Sequence, residues 1–243
     1  MSKDINQFIK DLFGTKFILP LVLILGFIFF FYLDLDSFFS WKNISANYSE
    51  IKLISQENIL YSAFIFFLIH FLAIVLSLPI VGILLILGGA LFGWLAVFLL
   101  FSSTLGCWVV FFAARGFLFE YLSKKANPYM SSITTNFNKS PFIWLFYLKL
   151  FPLLPIWVGN IVPGVLGMKS STFLLATFLG FFPGTIIYVS FAIGLDKILI
   201  NGGLPNYSIT DNLEIYIPLL MLAVISITSI VIKSLQIKRG NNQ

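Results

Sequence analysis

Charged residues are scarce in this sequence of 243 residues. Lys, Arg, Asp and Glu make up 10% of the chain, whereas an ordinary soluble protein carries about 25%. Hydrophobic residues make up 59%, and residues 17–33, 59–114, 170–195 and 215–232 contain no charge. A membrane-spanning helix needs about 20 apolar residues. The composition therefore excludes a soluble domain and predicts an all-α polytopic membrane protein.

Cysteine and histidine occur once each, at Cys107 and His70. A single cysteine excludes an internal disulfide, and the two residues cannot complete a metal site with acids that lie in loops. The motifs His-Glu-x-x-His and Gly-x-Ser-x-Gly and paired membrane aspartates are also absent. We therefore predict no enzymatic activity, no catalytic residue, no metal and no cofactor. His70 is either a proton relay or, as the lack of an acidic neighbour in its span favours, a neutral hydrogen-bonded core residue.

The formal charge of +5 lies in the tails and loops. Beside a membrane, such charge sets topology or binds anionic headgroups, and no nucleic-acid motif accompanies it. Because Lys and Arg concentrate in the central loop and the C-terminal tail, we expect both to face the cytoplasm, whereas the side of the N-terminus stays open. We divide the chain into residues 1–58 (tail, first span and polar loop), a membrane domain at 59–195, and residues 196–243 (loop, last span and basic tail).

Proline and glycine interrupt two of the apolar stretches. Residues 59–114 are too long for two spans and too short for three, so we predict spans at 59–78 and 94–114 joined by a re-entrant segment at 79–93. Residues 141–167 contain four prolines and form the second re-entrant candidate. Spans at 17–33, 171–195 and 215–232 complete five full crossings.

The two interrupted stretches also resemble each other. Residues 77–116 and 153–194 share the order of a broken segment, a glycine-rich turn and a continuous span. The sequence Leu-Pro-Ile occurs at 78–80 and 154–156, and Phe-Leu-Leu at 98–100 and 173–175. Paired broken segments in corresponding halves indicate a transporter-type site near the bilayer midplane. We therefore predict two inverted repeats, each a re-entrant hairpin followed by a transmembrane helix.

Several motifs resemble one membrane family. The first half reads Gly-Gly-Ala-Leu-Phe-Gly at 88–93, Leu-Gly at 105–106 and Phe-Ala-Ala-Arg-Gly at 112–116. The second half reads Lys-Leu-Phe-Pro-Leu-Leu-Pro at 149–155, then Asn160, Gly164 and Gly-Phe-Phe-Pro-Gly at 180–184. In order and spacing these are similar to the DedA/VTT-domain superfamily, also called the SNARE-associated Golgi protein domain, over residues 59–194.

The resemblance implies two re-entrant hairpins that meet from opposite sides, and an activity of moving phospholipids or polyprenyl-phosphate carriers across the membrane. The sequence departs from the family pattern at two points. Lys149 stands where the family usually has Arg. The membrane acid that accompanies proton coupling in some bacterial members is missing, because no Asp or Glu lies between Glu57 and Glu120.

Lys149 is the first candidate for substrate binding. A lysine at mid-membrane costs about 2.5–3.5 kcal/mol on insertion scales and usually faces a cavity or a partner. It therefore either pairs with a lipid phosphate as a point charge or snorkels to the interface.

Five further residues complete the predicted substrate-binding set. Pro79, Pro152 and Pro155 either free backbone amides that bind phosphate or only shape the turns. Asn160 either donates to a headgroup or bonds backbone freed by the neighbouring break. Arg115 either holds a headgroup at the membrane surface or fixes topology at a helix end.

The sequence thus predicts a translocator of phosphate-bearing membrane lipids in a bacterial inner membrane. Two alternatives stay open. The same architecture suits a transporter of small anions or ion-coupled solutes, and the loops suit a membrane-organising protein that transports nothing.

Overall fold

The structure, a computed structural model, describes residues 15–38, 40–123, 137, 139–150 and 158–200. These ranges are helical and contain no strand. In chain order the helices are α1 (Thr15–Tyr32), α2 (Leu35–Phe38), α3 (Trp41–Ala46), α4 (Tyr48–Glu57), α5 (Ile59–Val75), α6 (Val81–Phe92), a 3-10 helix (Gly93–Phe98), α7 (Leu99–Ser123), α8 (Pro141–Leu150), α9 (Val158–Val165) and α10 (Ser170–Ile200).

Within these ranges, two helical stretches are long and apolar enough to cross a membrane, namely Val81–Gly116 and Ser170–Asp196. Helices α4 and α5 add a third if they count as one span, although they meet at an angle of 119°. Many large apolar side chains face outward, including Leu60 and Phe64 of α5 at 72% and 61% exposure. Helices that are apolar on every face belong in lipid. The prediction of an all-helical membrane protein is therefore confirmed.

The helix bounds differ from the predicted spans at two places. The predicted span at 59–78 stops at Val75, because Ser77 adopts a φ of 55° and the Leu78 N–H bonds back to the carbonyl of Ala73. The predicted span at 94–114 begins with the 3-10 helix, and α7 then continues to Ser123, into the predicted polar loop. The break comes at Gly93, whose φ of 58° and ψ of −139° suit glycine alone.

The remaining spans are matched in part. Helix α1 covers the predicted span at 17–33 and α10 extends the one at 171–195 by a few residues, while residues 215–232 lie outside the described residues. The segment at 141–167 contains α8 and α9, with Pro163 inside α9. The re-entrant course of both segments and the inverted relation of the repeats stay predictions.

Helix α10 is central to the packing, since it lies against α6, α7 and α8. Two clusters of buried side chains result. One joins α5 and α6 to Val189 and Ala192 of α10, and the other joins α7 and α8 to Phe173 of α10. In the second cluster, the rings of Phe111 and Phe173 stack at a centroid distance of 4.3 Å. A cavity lies between these helices.

Candidate functional site

A partly open cavity of about 210 Å³ is lined by residues of α5, α6, α7, α8, α9 and α10. Its volume is smaller than the roughly 300–1,000 Å³ of pockets that hold drug-sized ligands. It therefore suits a small polar group, not a whole lipid. Most of the lining is apolar. The polar side chains among the lining residues are His70, Ser103, Cys107, Lys149, Thr185 and Tyr188.

Among the described residues that line the cavity, Lys149 is the one lysine or arginine. It lies in the last turn of α8 and is only 7% exposed. Its Nζ donates to Asn160 Oδ1 at 2.5 Å and lies 3.9 Å from Cys107 Sγ. The rings of Phe181 and Phe173 have their centroids 4.9 Å and 5.7 Å from Nζ, within cation–π range.

Two glycines allow Lys149 to lie this deep. A Cβ on Gly180 of α10 would come within 2.6 Å of Lys149 Cβ and 3.0 Å of the carbonyl oxygen of Phe146. A Cβ on Gly159 would lie 3.4 Å from Lys149 Nζ. Small residues let membrane helices approach closely. Helices α8 and α10 are therefore in contact at the level of the lysine.

No carboxylate neutralises Lys149 in the described part of the chain. Between Glu57 and Asp196 the sequence contains one acid, Glu120. The ammonium group is therefore surrounded by an amide oxygen, a thiol and two aromatic rings. An ionised group costs several kcal/mol to bury, and only good compensation repays that cost. A protonated Lys149 thus lacks a counter-ion in the described part of the chain.

Asn160, on α9, adds an unused hydrogen-bond donor. It is 0% exposed, and its Oδ1 is occupied by Lys149 Nζ. Its Nδ2 has no hydrogen-bond partner among the described residues. Buried polar atoms are normally satisfied, so an orphan needs an explanation. Asn160 is not among the residues that line the cavity, and its link to the cavity is the hydrogen bond to Lys149.

His70 of α5 is a buried residue with a hydrogen bond to a serine. Its Nδ1 lies 2.6 Å from Ser102 Oγ, which also lies within hydrogen-bond distance of the carbonyl of Leu99. With the serine proton on that carbonyl, Nδ1–H donates to the serine and Nε2 is an acceptor. Nε2 has no partner among the described residues. The structure thus places His70 as a hydrogen-bonded residue in the wall of the cavity.

Two other predicted site residues, Pro79 and Arg115, do not line this cavity. Pro79 is exposed in the turn between α5 and α6. Arg115 is exposed near the predicted end of the span, and its Nη1 donates to the carbonyl of Met168 at 3.2 Å. Pro152 and Pro155 lie outside the described residues. Of the six predicted residues, the structure brings together Lys149 and Asn160.

Sequence reasoning missed several residues of the site. Phe173 and Phe181 are two of 29 phenylalanines, and nothing local distinguishes them. Ser102 is a serine in an apolar run. Gly180 and Gly184 have the small-xxx-small spacing that is typical of closely packed membrane helices. At Gly184, however, a Cβ would meet nothing within 4 Å, and this residue lines the cavity instead. In the described part of the chain, no group of three His, Cys, Asp or Glu residues could hold a metal ion.

Comparison with known proteins identifies one domain in the chain. Residues 78–193 match the sequence model of the VTT domain, which confirms the resemblance drawn from the motifs. A Bacillus subtilis protein described as uncharacterized protein YqeD is 32% identical over 118 residues, which is 45% of this chain and 55% of that protein. The chain thus spans about half the length of this curated relative. No solved structure matches the chain.

Proposed function

We propose that this chain, a membrane protein with a VTT domain at residues 78–193, translocates lipids by receiving their phosphate-bearing headgroups in the cavity at Lys149. One observation carries the proposal. Among the described residues, a buried lysine without a carboxylate partner donates to Asn160, an amide whose own donors have no partner. This arrangement is complementary to an anionic oxygen.

The chemistry of the contact follows from the donors. Lys149 has three N–H donors; one is used by Asn160 Oδ1 and a second by Cys107 Sγ. The third donor and the Nδ2 amide of Asn160 are left for phosphate oxygens, although without the bidentate fork of an arginine. Charge-assisted hydrogen bonds of this type are about twice as strong as neutral ones. The bound headgroup would thus replace part of its lost hydration.

The proposed translocator has the membrane architecture that the sequence predicts. Residues 79–93 and 141–167 form two re-entrant hairpins of an inverted repeat, and Pro79, Pro152 and Pro155 open them. Non-helical backbone at membrane depth is tolerated where it lines a polar cavity. Arg115, in α7 near the predicted end of the span, holds headgroups at the membrane surface. The protein is a multi-pass protein of a bacterial inner membrane, with membrane lipids as partners and no cofactor or enzymatic step.

The test is lipid scrambling in proteoliposomes, read as quenching of a labelled phospholipid from the outer leaflet. Lys149→Met keeps the length of the side chain and removes its charge. Lys169→Met is the matched control, because Lys169 is exposed in the turn before α10. If Lys149 makes a charged hydrogen bond to the headgroup in the transition state of translocation, its loss slows transport by roughly 10- to 150-fold. We expect that loss in Lys149→Met and none in Lys169→Met.

A second variant separates a lost ligand contact from a damaged fold. Asn160→Asp replaces the free amide with a carboxylate, which we expect to pair with Lys149 and compete with the substrate. Such a pair gains Coulomb energy where the present lysine lacks a counter-ion. The variant should therefore keep or raise the thermal stability and still lose transport. Unchanged transport in both Asn160→Asp and Lys149→Met would refute the proposed site.

A small anion is the second candidate substrate, because the cavity of about 210 Å³ holds an anion as readily as a headgroup. The two are separated by flux of inorganic phosphate into the same vesicles. Lysine-dependent phosphate uptake without lipid movement identifies an anion transporter. Lipid movement without phosphate uptake supports the translocator.

A further inference from the structure

Helix α4 presents three polar side chains at four-residue spacing, Tyr48, Lys52 and Gln56. Residues four apart lie on the same face of a helix. All three reach across to residues that are distant in sequence. This face of α4, which we call the α4 clamp, lies outside the segment that matches the VTT domain.

Lys52 is the centre of the α4 clamp. Its Nζ donates to the carbonyls of Ala90 at 2.6 Å and Leu91 at 3.1 Å, and to Asp196 Oδ2 at 3.1 Å. An ammonium group has three donors, so these acceptors use all of them. Tyr48 Oη donates to the other oxygen of Asp196.

The two carbonyls belong to the last turn of α6. The final carbonyls of a helix have no partner within the helix and carry partial negative charge. Gln56 Nε2 also donates to the carbonyl of Leu91, at 2.9 Å. The α4 clamp therefore caps the end of α6, while Asp196 ties the same lysine to α10.

Both helices held by the α4 clamp form walls of the cavity. Helix α6 contributes Val81, Gly82 and Leu85, and α10 contributes residues from Gly180 to Tyr188. They approach closely near the clamp, since a Cβ on Gly89 would lie 2.6 Å from Ala192 Cβ. A change in their separation changes the cavity.

We propose that Lys52 is a positioning residue for the cavity at Lys149, because it fixes the end of α6 against α10. The role rests on the proposed function, since it assigns Lys52 to the same transport step. It also predicts a structural readout that is independent of transport. Loss of a charge-assisted hydrogen bond changes the ratio of two conformations by roughly 10- to 150-fold.

The experiment measures the distance between the two helix ends directly. Nitroxide labels on Trp94→Cys and Ile200→Cys, both exposed positions, are placed in a chain that keeps the buried Cys107 and reconstituted in nanodiscs. Pulsed electron–electron double resonance measures the distance between the labels with Lys52 intact and with Lys52→Ala, Lys52→Arg and Asp196→Asn. Lys42→Ala is the matched control, because Lys42 is an exposed lysine on α3.

We expect one narrow distance distribution for the intact chain, Lys42→Ala and Lys52→Arg, and a broad or two-state distribution for Lys52→Ala and Asp196→Asn. Transport should fall at least tenfold in Lys52→Ala and return in Lys52→Arg. If the label distances in Lys52→Ala stay narrow and unchanged, the proposal is overturned. It is also overturned if these distances broaden and Lys52→Ala still transports at the full rate. If the intact protein moves no lipid or anion, the proposed function fails, and the label distances alone decide whether Lys52 positions the helices.

Discussion

The contact between α8 and α10 can be tested with two glycines that lie one turn apart on α10. At Gly180, a Cβ would lie 2.6 Å from Lys149 Cβ and 3.0 Å from the carbonyl oxygen of Phe146. At Gly184, a Cβ would meet nothing within 4 Å. Gly180→Ala and Gly184→Ala thus add the same methyl group to the same helix, once into a contact and once into open space.

The expected difference in stability follows from that contrast. Replacing glycine by alanine in a helix contributes about 1 kcal/mol in both variants, so this gain cancels in the comparison. What remains is the cost of overpacking at Gly180, typically about 1–3 kcal/mol. The neighbours there are a backbone oxygen and the Cβ of a fixed residue, which cannot rotate away. For a chain of this size, we expect the melting temperatures to differ by roughly 2–12 °C.

The assay is thermal unfolding of the purified variants in one detergent, followed by intrinsic fluorescence. Gly184→Ala should melt at or above the temperature of the unchanged chain, and Gly180→Ala below that of Gly184→Ala. If Gly180→Ala is as stable as Gly184→Ala, then α8 and α10 do not touch at Lys149. The depth assigned to the lysine would then be wrong as well.

Two further predictions concern the walls of the cavity. Ser102→Ala removes the hydrogen-bond partner of His70 Nδ1 and should destabilise the protein by about 1–3 kcal/mol in the same unfolding assay, whereas the matched change Ser103→Ala should have little effect. Equal stabilities of the two variants would contradict a stabilising bond between Ser102 and His70. Gly82→Leu adds a side chain where a Cβ has open space within the cavity lining, so it should lower transport without lowering the melting temperature. Gly116→Leu, also into open space but away from the lining, should leave transport unchanged.

The sequence predicted the parts of the fold that depend on local composition. Long uncharged runs predicted α1, α5, α7 and α10, because helices in lipid need apolar side chains and internally paired backbone. The helix ends depended on details that composition does not show. Ser77, a residue that favours neither helix nor turn strongly, ends α5 through a left-handed conformation.

The sequence predicts a residue of the candidate site only where that residue differs in character from its neighbours along the chain. Lys149 stands out because it is a charge in an apolar segment. Its neighbours do not, since Cys107 is 42 residues away and Asn160 is 11 residues away across a proline-rich break. Lys52 lies in a polar stretch, where a lysine is expected to be solvated. Its contact with Asp196 spans 144 residues and depends entirely on the tertiary fold.

The cavity also requires more of the chain than the segment that matches the VTT domain. His70 lies before residue 78 and contributes to the cavity wall. Lys52 and Asp196 lie on either side of the matched segment and hold the ends of α6 and α10 together. A fragment of residues 78–193 would leave the carbonyls of Ala90 and Leu91 without the lysine, and it would leave one wall of the cavity open. The smallest unit able to bind a headgroup as proposed therefore runs from α4 to Asp196.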